Sequence, residues 1–168
     1  MTGRARAAAG SLVFLVVAPG VVAGLVPWLL TGWAANEASR AAVVLGWLLI
    51  GSGTAVLLSA FARFVLEGLG TPAPVAPTER LVVGGLYRYV RNPMYLAVAA
   101  VIVGQALALG RPLLIAYAAL FGAAVWAFVR WYEEPTLARR FGADYEAYRR
   151  AVPGWRPRLR PWRPGARD

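Results

Sequence analysis

The stretch Gly84-Gly-Leu-Tyr-Arg-Tyr-Val-Arg-Asn-Pro-Met-Tyr95 is basic and aromatic, and an apolar run begins where it ends. Asn92 followed by Pro93 predicts a helix start, because an asparagine side chain can accept from an unpaired backbone N–H and proline loses no needed donor at the first helical position. We therefore expect a membrane helix to emerge into water here, with the positive end of its dipole among arginines and tyrosines. Such a helix end attracts an anionic group, although Arg and Tyr are also common anchors at membrane interfaces.

Beyond this stretch, the composition is typical of a membrane protein. Hydrophobic residues make up 59% of the 168 residues, charged residues make up 15%, and the mean hydropathy is +0.54. The chain has no His and no Cys, which excludes a Ser-His-Asp enzyme, a histidine or thiolate zinc site and disulfides, and we expect no metal. The net charge of +10 comes from arginines without any lysine. We disfavour nucleic-acid binding, because membrane proteins concentrate positive charge in cytoplasmic loops.

Four apolar runs predict an all-α, polytopic membrane protein that forms a single domain over residues 1–168. The predicted crossings cover about residues 12–30, 41–62, 94–110 and 112–129, close to the roughly 20 residues that one crossing needs. Prolines and glycines interrupt the first run, which predicts a kinked helix. A signal peptide is the competing interpretation of that run. We favour a retained helix, because the run exceeds the roughly 7–15 apolar residues of a signal peptide and no clean cleavage site follows it.

Small residues predict that the third and fourth crossings pack as a hairpin. Ala100 and Gly104 in the third crossing, and Ala118 and Gly122 in the fourth, form small-xxx-small faces that suit close helix contact. A tight turn at residues 110–112 makes these two helices antiparallel neighbours.

The arginines predict the orientation in the membrane. With four crossings, all but two of the 18 arginines lie on the same side as both termini, and the exceptions are Arg40 and Arg111. The positive-inside rule then predicts cytoplasmic N- and C-termini. We expect anionic membrane lipids as partners at this face.

The chain after the fourth crossing predicts a surface helix and an extended tail. Pro135 is expected to close the fourth helix at or near Glu134. Residues 136–150 place apolar and aromatic side chains at helical spacing, which predicts an amphipathic helix on the cytoplasmic surface. The tail, residues 152–168, is rich in Pro, Trp and Arg, so we expect an extended segment on anionic headgroups without a catalytic role. The Pro-rich stretch 70–77 is predicted to be a linker that also walls one side of a pocket.

Two polar clusters, residues 84–95 and 130–134, are expected to lie side by side, because they end the two antiparallel legs of the hairpin. Adjacent carboxylates at a membrane boundary are costly without a cation. Glu133 and Glu134 either pair with nearby arginines and merely solubilise the helix end, or bind a ligand that carries both signs of charge. S-adenosylmethionine fits that description: it offers a carboxylate to Arg and the helix N-terminus, an ammonium or ribose to Glu, and an adenine to Tyr.

The same residues carry a resemblance to a known family. The stretch from Gly85 to Tyr95, then Glu133-Glu134, then Phe141-Gly-x-x-Tyr145-x-x-Tyr148-x-x-x-Val152-Pro153 closely resembles the superfamily of isoprenylcysteine carboxyl methyltransferases and phospholipid methyltransferases. The resemblance implies a helical membrane core that holds S-adenosylmethionine at its cytoplasmic face. It implies cofactor contacts for Arg80, Leu81, Val82, Tyr87, Arg91, Asn92, Pro93, Met94, Tyr95, Glu133 and Glu134, and a catalytic Arg130 that orients the methyl acceptor. The chain has Asn92 where the family often has His, which keeps hydrogen bonding but removes a titrating group.

The resemblance implies methyl transfer to a lipophilic acceptor, either the carboxylate of a prenylcysteine or isoprenoid acid or a lipid amine. Because the leaving group is a neutral thioether, no general base is strictly required, and a chain without His can catalyse the reaction by positioning. Two alternatives stay open. A nicotinamide-dependent membrane reductase would share a distant resemblance, but the paired glutamates disfavour an anionic dinucleotide. A non-catalytic membrane subunit would retain only the fold.

Overall fold

The computed structural model describes residues 17–67 and 81–163, and every regular element within these ranges is helical. This confirms the prediction of an all-α fold. The elements are α1 (Val17–Thr31), α2 (Arg40–Glu67), a 3₁₀ turn (Gly85–Arg88), α3 (Pro93–Ala108), α4 (Leu113–Phe128), a π-helical turn (Val129–Glu133) and α5 (Glu134–Ala151). The start of the predicted first crossing (12–16), the Pro-rich stretch 70–77, Arg80 and the last residues of the tail (164–168) lie outside the described residues.

The apolar helices indicate a membrane protein. Two helices are long and apolar enough to cross a bilayer: α2, and the helix that α4, the π turn and α5 form together. Large hydrophobic side chains point away from the protein on both, with exposed fractions of 63% for Trp47, 64% for Leu48 and 69% for Leu120. Such an apolar surface suits lipid rather than water. The helices α1 and α3 are shorter apolar segments, so crossing of the membrane by all four helices stays a prediction.

The core lies where α2, α3 and α4 meet, and glycines bring α2 and α3 close together. A Cβ added to Gly46 would stand 2.6 Å from the carbonyl oxygen of Gly104, and one added to Gly104 would stand 2.7 Å from that of Gly46. The predicted use of Gly104 against the fourth helix is therefore wrong. Its small face meets α2, which carries a glycine at the matching depth, while a Cβ on Gly122 would meet nothing within 4 Å among the described residues.

Side chains of α3 and α4 donate hydrogen bonds to backbone carbonyls of α1 where its regular helical bonding is interrupted. The turn Val21–Leu25 is π-helical, and Pro27 has no N–H to donate to the carbonyl of Ala23, four residues earlier. Buried Gln105 of α3 donates to that carbonyl from Nε2 at 2.7 Å, and the hydroxyl of Tyr117 in α4 donates to the preceding carbonyl at 2.9 Å. An unpaired carbonyl inside an apolar bundle is costly, so these two side chains tie α1 to the core.

Loop contacts define the two ends of the bundle. The α1–α2 loop and the α3–α4 turn share one end, where the backbone N–H of Asn36 donates to Leu109 at 2.8 Å and Arg111 Nε donates to the carbonyl of Ala34 at 2.7 Å. Residues 81–92, the π turn, α5 and the described part of the tail gather at the other end. This arrangement agrees with the predicted hairpin of α3 and α4.

The helix that begins as α4 does not stop at Glu134, so the predicted end at Pro135 is wrong. The helix runs on through the π turn and Pro135 into α5, where non-helical Gly142 (φ 51°, ψ −124°) kinks it before it ends at Ala151. A proline inside a regular helix clashes with the carbonyl four residues earlier and removes a donor. The wider π turn directly before Pro135 relieves both problems, and α5 begins with the proline in its first turn.

The amphipathic helix is present as α5, but its apolar face is covered by the protein itself. Tyr145, Tyr148 and Val152 are buried together. The residues packed against them come from α5, the segment before the 3₁₀ turn and the tail: Leu81, Val83, Leu137, Ala138, Phe141, Ala151 and Trp162. The apolar face of α5 therefore packs on the segment before the 3₁₀ turn and on the tail, whereas the position of the helix at the cytoplasmic surface stays a prediction.

Candidate functional site

The start of α3 is confirmed at Asn92 and Pro93, but the asparagine side chain does not cap the helix. Asn92 stands at the N-cap position and makes no side-chain capping bond. Its side chain is buried, with 7% of the residue exposed, and its Nδ2 donor has no hydrogen-bond partner in the described part of the chain. A buried amide without an acceptor is costly, and it is a feature that a bound ligand can satisfy.

Arg91 joins three parts of the chain. Its Nη1 donates to Glu134 Oε1 at 2.8 Å and to the hydroxyl of Tyr145 at 3.0 Å, and its Nε donates to the carbonyl of Val152 at 3.0 Å. The other oxygen of Glu134 lies 3.5 Å from Arg149. Of the two interpretations given above for the glutamates, the one in which they pair with nearby arginines therefore applies to Glu134.

Glu133 has a different environment from its neighbour. Its Oε2 accepts a hydrogen bond from the hydroxyl of Tyr95 at 3.0 Å, and no arginine among the described residues forms an ion pair with it. Burial raises the pKa of the Glu133 carboxyl above its ordinary value; the Tyr95 bond opposes this shift, the Glu134 charge adds to it and the Arg91 charge opposes it. Glu133 lies beyond the apolar part of its helix and is partly buried, and a carboxylate of this kind is a candidate for binding a cationic ligand.

These contacts confirm that the two polar clusters lie side by side. The pairs Tyr95–Glu133 and Arg91–Glu134 connect the start of α3 to the π turn and the start of α5, although about forty residues separate the clusters in sequence. π-helical turns are frequent at functional sites, because the extra residue redirects the side chains around it. Here the turn ends at Glu133 and so places the two carboxylates in separate surroundings.

The remaining residues of the predicted cofactor site differ in how far they are buried in the protein. Tyr87 and Val82 are buried beside Ala60, with Met94 packed against them. The carbonyl of Tyr87 accepts from the hydroxyl of Tyr148 at 2.6 Å, and burial raises the pKa of the Tyr87 phenol well above its usual range. Leu81, Pro93 and Arg130 complete the predicted set; Leu81 packs on the α5 cluster, Pro93 begins α3, and Arg130 is exposed on the π turn.

The tail forms part of this region, which the sequence did not predict. The backbone N–H groups of Arg91 and Asn92 donate to the carbonyls of Pro153 and Gly154 at 2.9 and 3.2 Å. Further along, the tail bonds to residues 88 and 89 through the backbone N–H groups of Arg158 and Trp162, both at 2.9 Å. The described part of the predicted extended tail therefore docks on the protein, because its backbone pairs with that of the segment before α3, and its contact with anionic headgroups stays a prediction.

An apolar cavity of about 550 Å³ lies beside the start of α3. It occupies the α3 face of Pro93, Leu96, Ala97 and Ala100, whereas Tyr95 projects from the opposite side of the same helix. The cavity ends at the residues that flank Arg91 and Asn92. Its lining residues are Ser52, Gly53, Val56, Leu86, Tyr89, Val90, Pro93, Leu96, Ala97, Ala100 and Pro157.

The family model for phospholipid methyltransferases matches residues 41–144, more than half of the chain. The chain belongs to the phospholipid methyltransferase family. This confirms the resemblance to the superfamily of integral membrane methyltransferases that the Arg/Tyr stretch and the paired glutamates suggested. In this phospholipid methyltransferase family member, the match includes Asn92, Tyr95 and Glu133 and ends before the tail. Searches of curated proteins and of solved structures each gave no match.

Proposed function

We propose that the protein is an S-adenosylmethionine-dependent methyltransferase that acts on a lipophilic acceptor at a membrane face. The observation that carries this proposal is that an acceptor of positive charge and a hydrogen-bond donor without an acceptor both lie at the start of α3. Glu133 is a partly buried carboxylate with no arginine of the described residues in ion-pair contact, and Asn92 is a buried amide whose donor has no acceptor in the same part of the chain. A ligand with both a positive and a negative end would satisfy both groups.

The residues present fit the methyl donor. Glu133 would hold a cationic group, with its orientation fixed by the hydroxyl of Tyr95. Asn92 Nδ2 and the first-turn N–H groups of α3, which have no acceptor within the helix, would hold the carboxylate. The pair Arg91–Glu134 would keep the segment before α3 against α5. We therefore propose Glu134 as a structural member of the site rather than a direct contact of the cofactor.

Methyl transfer suits a site of this composition. S-adenosylmethionine supplies a methyl group on a sulfonium and leaves as a neutral thioether. The protein then needs to bring the acceptor atom in line, within about 3–3.5 Å, and to exclude water. Water would be excluded close to the start of α3 by the buried cluster of Tyr87 and Val82 with Met94. Arg130, exposed on the π turn, would orient an acidic or phosphate-bearing acceptor from the aqueous side.

The apolar cavity supports a lipophilic acceptor. Its lining is hydrocarbon apart from Ser52 and Tyr89, and it lies between α2, α3 and the tail. A hydrocarbon chain lying along Ala100 and Leu96 would bring its polar end out beside Pro93, at the N-terminus of α3. The acceptor is then a prenylated or isoprenoid carboxylate or a lipid amine, since both classes combine such a chain with a nucleophile at one end.

We also propose that the end of the bundle that holds the site faces the cytoplasm. Exposed arginines surround this end on α5 and the tail: Arg139, Arg140, Arg150, Arg156, Arg160 and Arg163. Positive charge of this density favours the cytoplasmic side and anionic headgroups, each arginine contributing on the order of 1 kcal/mol near the surface. Both termini would then be cytoplasmic, with four helices crossing the bilayer.

Calorimetric titration of the protein in lipid nanodiscs, with S-adenosylmethionine and with NADPH, tests the cofactor. We expect the wild type to bind S-adenosylmethionine, and Glu133→Gln to bind it at least about tenfold more weakly, because a charge-assisted contact is worth about 1.5–3 kcal/mol. Saturable binding of NADPH alone would identify a reductase. Binding of neither would identify a non-catalytic subunit that shares the fold.

A further inference from the structure

The tail passes directly over the side chains at the start of α3. A Cβ added to Gly154 would stand 3.2 Å from Arg91 Nη2 and 3.5 Å from Asn92 Nδ2. The carbonyl of Gly154 accepts from the backbone N–H of Asn92 at 3.2 Å. Glycine at this position lets the backbone approach both side chains. The next residue along the tail is Trp155, one position from the place where the backbone meets the Asn92 amide, which has no acceptor in the described residues.

Trp155 places a second aromatic ring next to Tyr95, the residue that binds Glu133. Its ring centroid lies 6.5 Å from that of Tyr95, with 35° between the two ring planes. The hydroxyl of Tyr95 donates to Glu133, and Trp155 is partly exposed. A carboxylate, an amide donor and two aromatic rings thus come together from the π turn, α3 and the tail. The tail lies outside the region that matches the family.

This combination distinguishes a charged ligand from a neutral one. The face of an aromatic ring attracts cations, and tryptophan does so most strongly. The methyl donor and its demethylated product share the adenosine, the ammonium and the carboxylate. They differ in the sulfonium, which becomes a neutral thioether after transfer.

We propose that Trp155 is a binding residue for the sulfonium end of the methyl donor and makes the site prefer S-adenosylmethionine over S-adenosylhomocysteine. The proposal rests on the proposed function, since it assigns a role within the same site. Glu133 and Trp155 act on the same positive end of the cofactor, the first through its charge and the second through its ring. Loss of the sulfonium charge on methyl transfer then weakens the hold on the product and favours its exchange.

Dissociation constants for both compounds, measured by calorimetry in nanodiscs, test the proposal. The variants are Trp155→Leu, Trp155→Phe and, as a matched control, Trp131→Leu, which removes a tryptophan that is 72% exposed on the π turn. We expect Trp155→Leu to weaken S-adenosylmethionine binding about 2- to 30-fold and to leave S-adenosylhomocysteine binding within about twofold. Trp155→Phe should lie between the wild type and Trp155→Leu, and Trp131→Leu should match the wild type for both compounds.

Three results would overturn the proposal. An equal loss of affinity for both compounds would place Trp155 on a part of the cofactor that they share, such as the adenine. Unchanged affinity for both would limit Trp155 to packing on Tyr95. Failure of the wild type to bind either compound would overturn the proposed function itself, and the two kinds of failure are therefore distinguishable. If Trp155→Leu does not fold, as judged by thermal unfolding, Trp155→Phe carries the same comparison on a smaller scale.

Discussion

Substitution by Gln should change a different property at each of the adjacent carboxylates Glu133 and Glu134. In Glu134→Gln, the side chain keeps its shape but loses the charge that faces Arg91 at 2.8 Å. In Glu133→Gln, the side chain keeps an acceptor for the hydroxyl of Tyr95 and loses a partly buried charge that forms no ion pair with an arginine of the described residues. We expect the first substitution to lower stability and the second to lower cofactor affinity.

The magnitude for Glu134→Gln follows from the burial of the pair. The side chains of Arg91 and Glu134 are 13% and 11% exposed, so solvent screens their attraction only weakly. Replacing a charge-assisted hydrogen bond by a neutral one costs about 1–2 kcal/mol, and breaking a buried pair completely costs about 3–5 kcal/mol. Arg91 keeps its bonds to Tyr145 and Val152, so we expect a loss of about 2 kcal/mol. For a chain of this length the melting temperature should fall by about 4–8 °C.

For Glu133→Gln we expect a free energy of unfolding within about 1 kcal/mol of the wild type, because removing a carboxylate whose pKa is raised by burial relieves its desolvation. Its affinity for S-adenosylmethionine should fall at least about tenfold. Thermal unfolding in detergent and calorimetry in nanodiscs measure the two effects on the same preparations. These roles for the two glutamates would be wrong if Glu134→Gln melted like the wild type, or if Glu133→Gln lost stability and retained its affinity.

Other parts of the structure give further expectations. Ala100→Leu should fill the apolar cavity and raise the KM for the lipid acceptor several-fold without changing the Kd for S-adenosylmethionine, whereas Ala99→Leu, on another face of α3, should leave both values unchanged. Gln105→Leu should lower the free energy of unfolding by about 1–3 kcal/mol, measured by chemical denaturation, since it leaves a buried carbonyl of α1 without its donor. Cofactor affinity should rise with pH through the raised pKa of Glu133, because the carboxylate form binds the cation, and Tyr95→Phe should move that midpoint to higher pH by removing a bond that stabilises the carboxylate. A midpoint that moves to lower pH in Tyr95→Phe would contradict this assignment.

Local chemistry in the sequence predicted where helices begin and which clusters meet. The start of α3 at Asn92 and Pro93 could be foreseen because the preferences of these residues act within one turn. The contact between residues 84–95 and 130–134 could be foreseen because a short turn forces α3 and α4 to be antiparallel neighbours. Both inferences depend on spacing along the chain, and spacing is visible in a sequence.

Features that depend on which surfaces meet could not be predicted in the same way. Pro135 usually ends a helix, and only the π turn before it allows the helix to continue. Gly104 offers a small face to any neighbour, and the sequence does not say that Gly46 lies opposite. The tail carries Arg and Trp, which suit a lipid surface as well as they suit a docked segment, so its pairing with residues 88–92 was missed.

The two glutamates show the same limit on a smaller scale. Neighbouring residues on a helix point about 100° apart, so Glu133 and Glu134 cannot share one environment, but the sequence does not give the rotation of the helix. The structure turns Glu134 toward Arg91 and Glu133 toward Tyr95. The unpaired amide of Asn92 also depends on packing, because an isolated helix would have used that side chain as its cap.

The most direct test of the account is incubation of the wild-type protein in nanodiscs with S-adenosylmethionine that carries a tritiated methyl group and with a total lipid extract. We expect tritium in a lipid-phase product, and a loss of that labelling of at least about tenfold in Glu133→Gln. Retention of all the label in the aqueous phase, with a wild type that binds the cofactor, would contradict it.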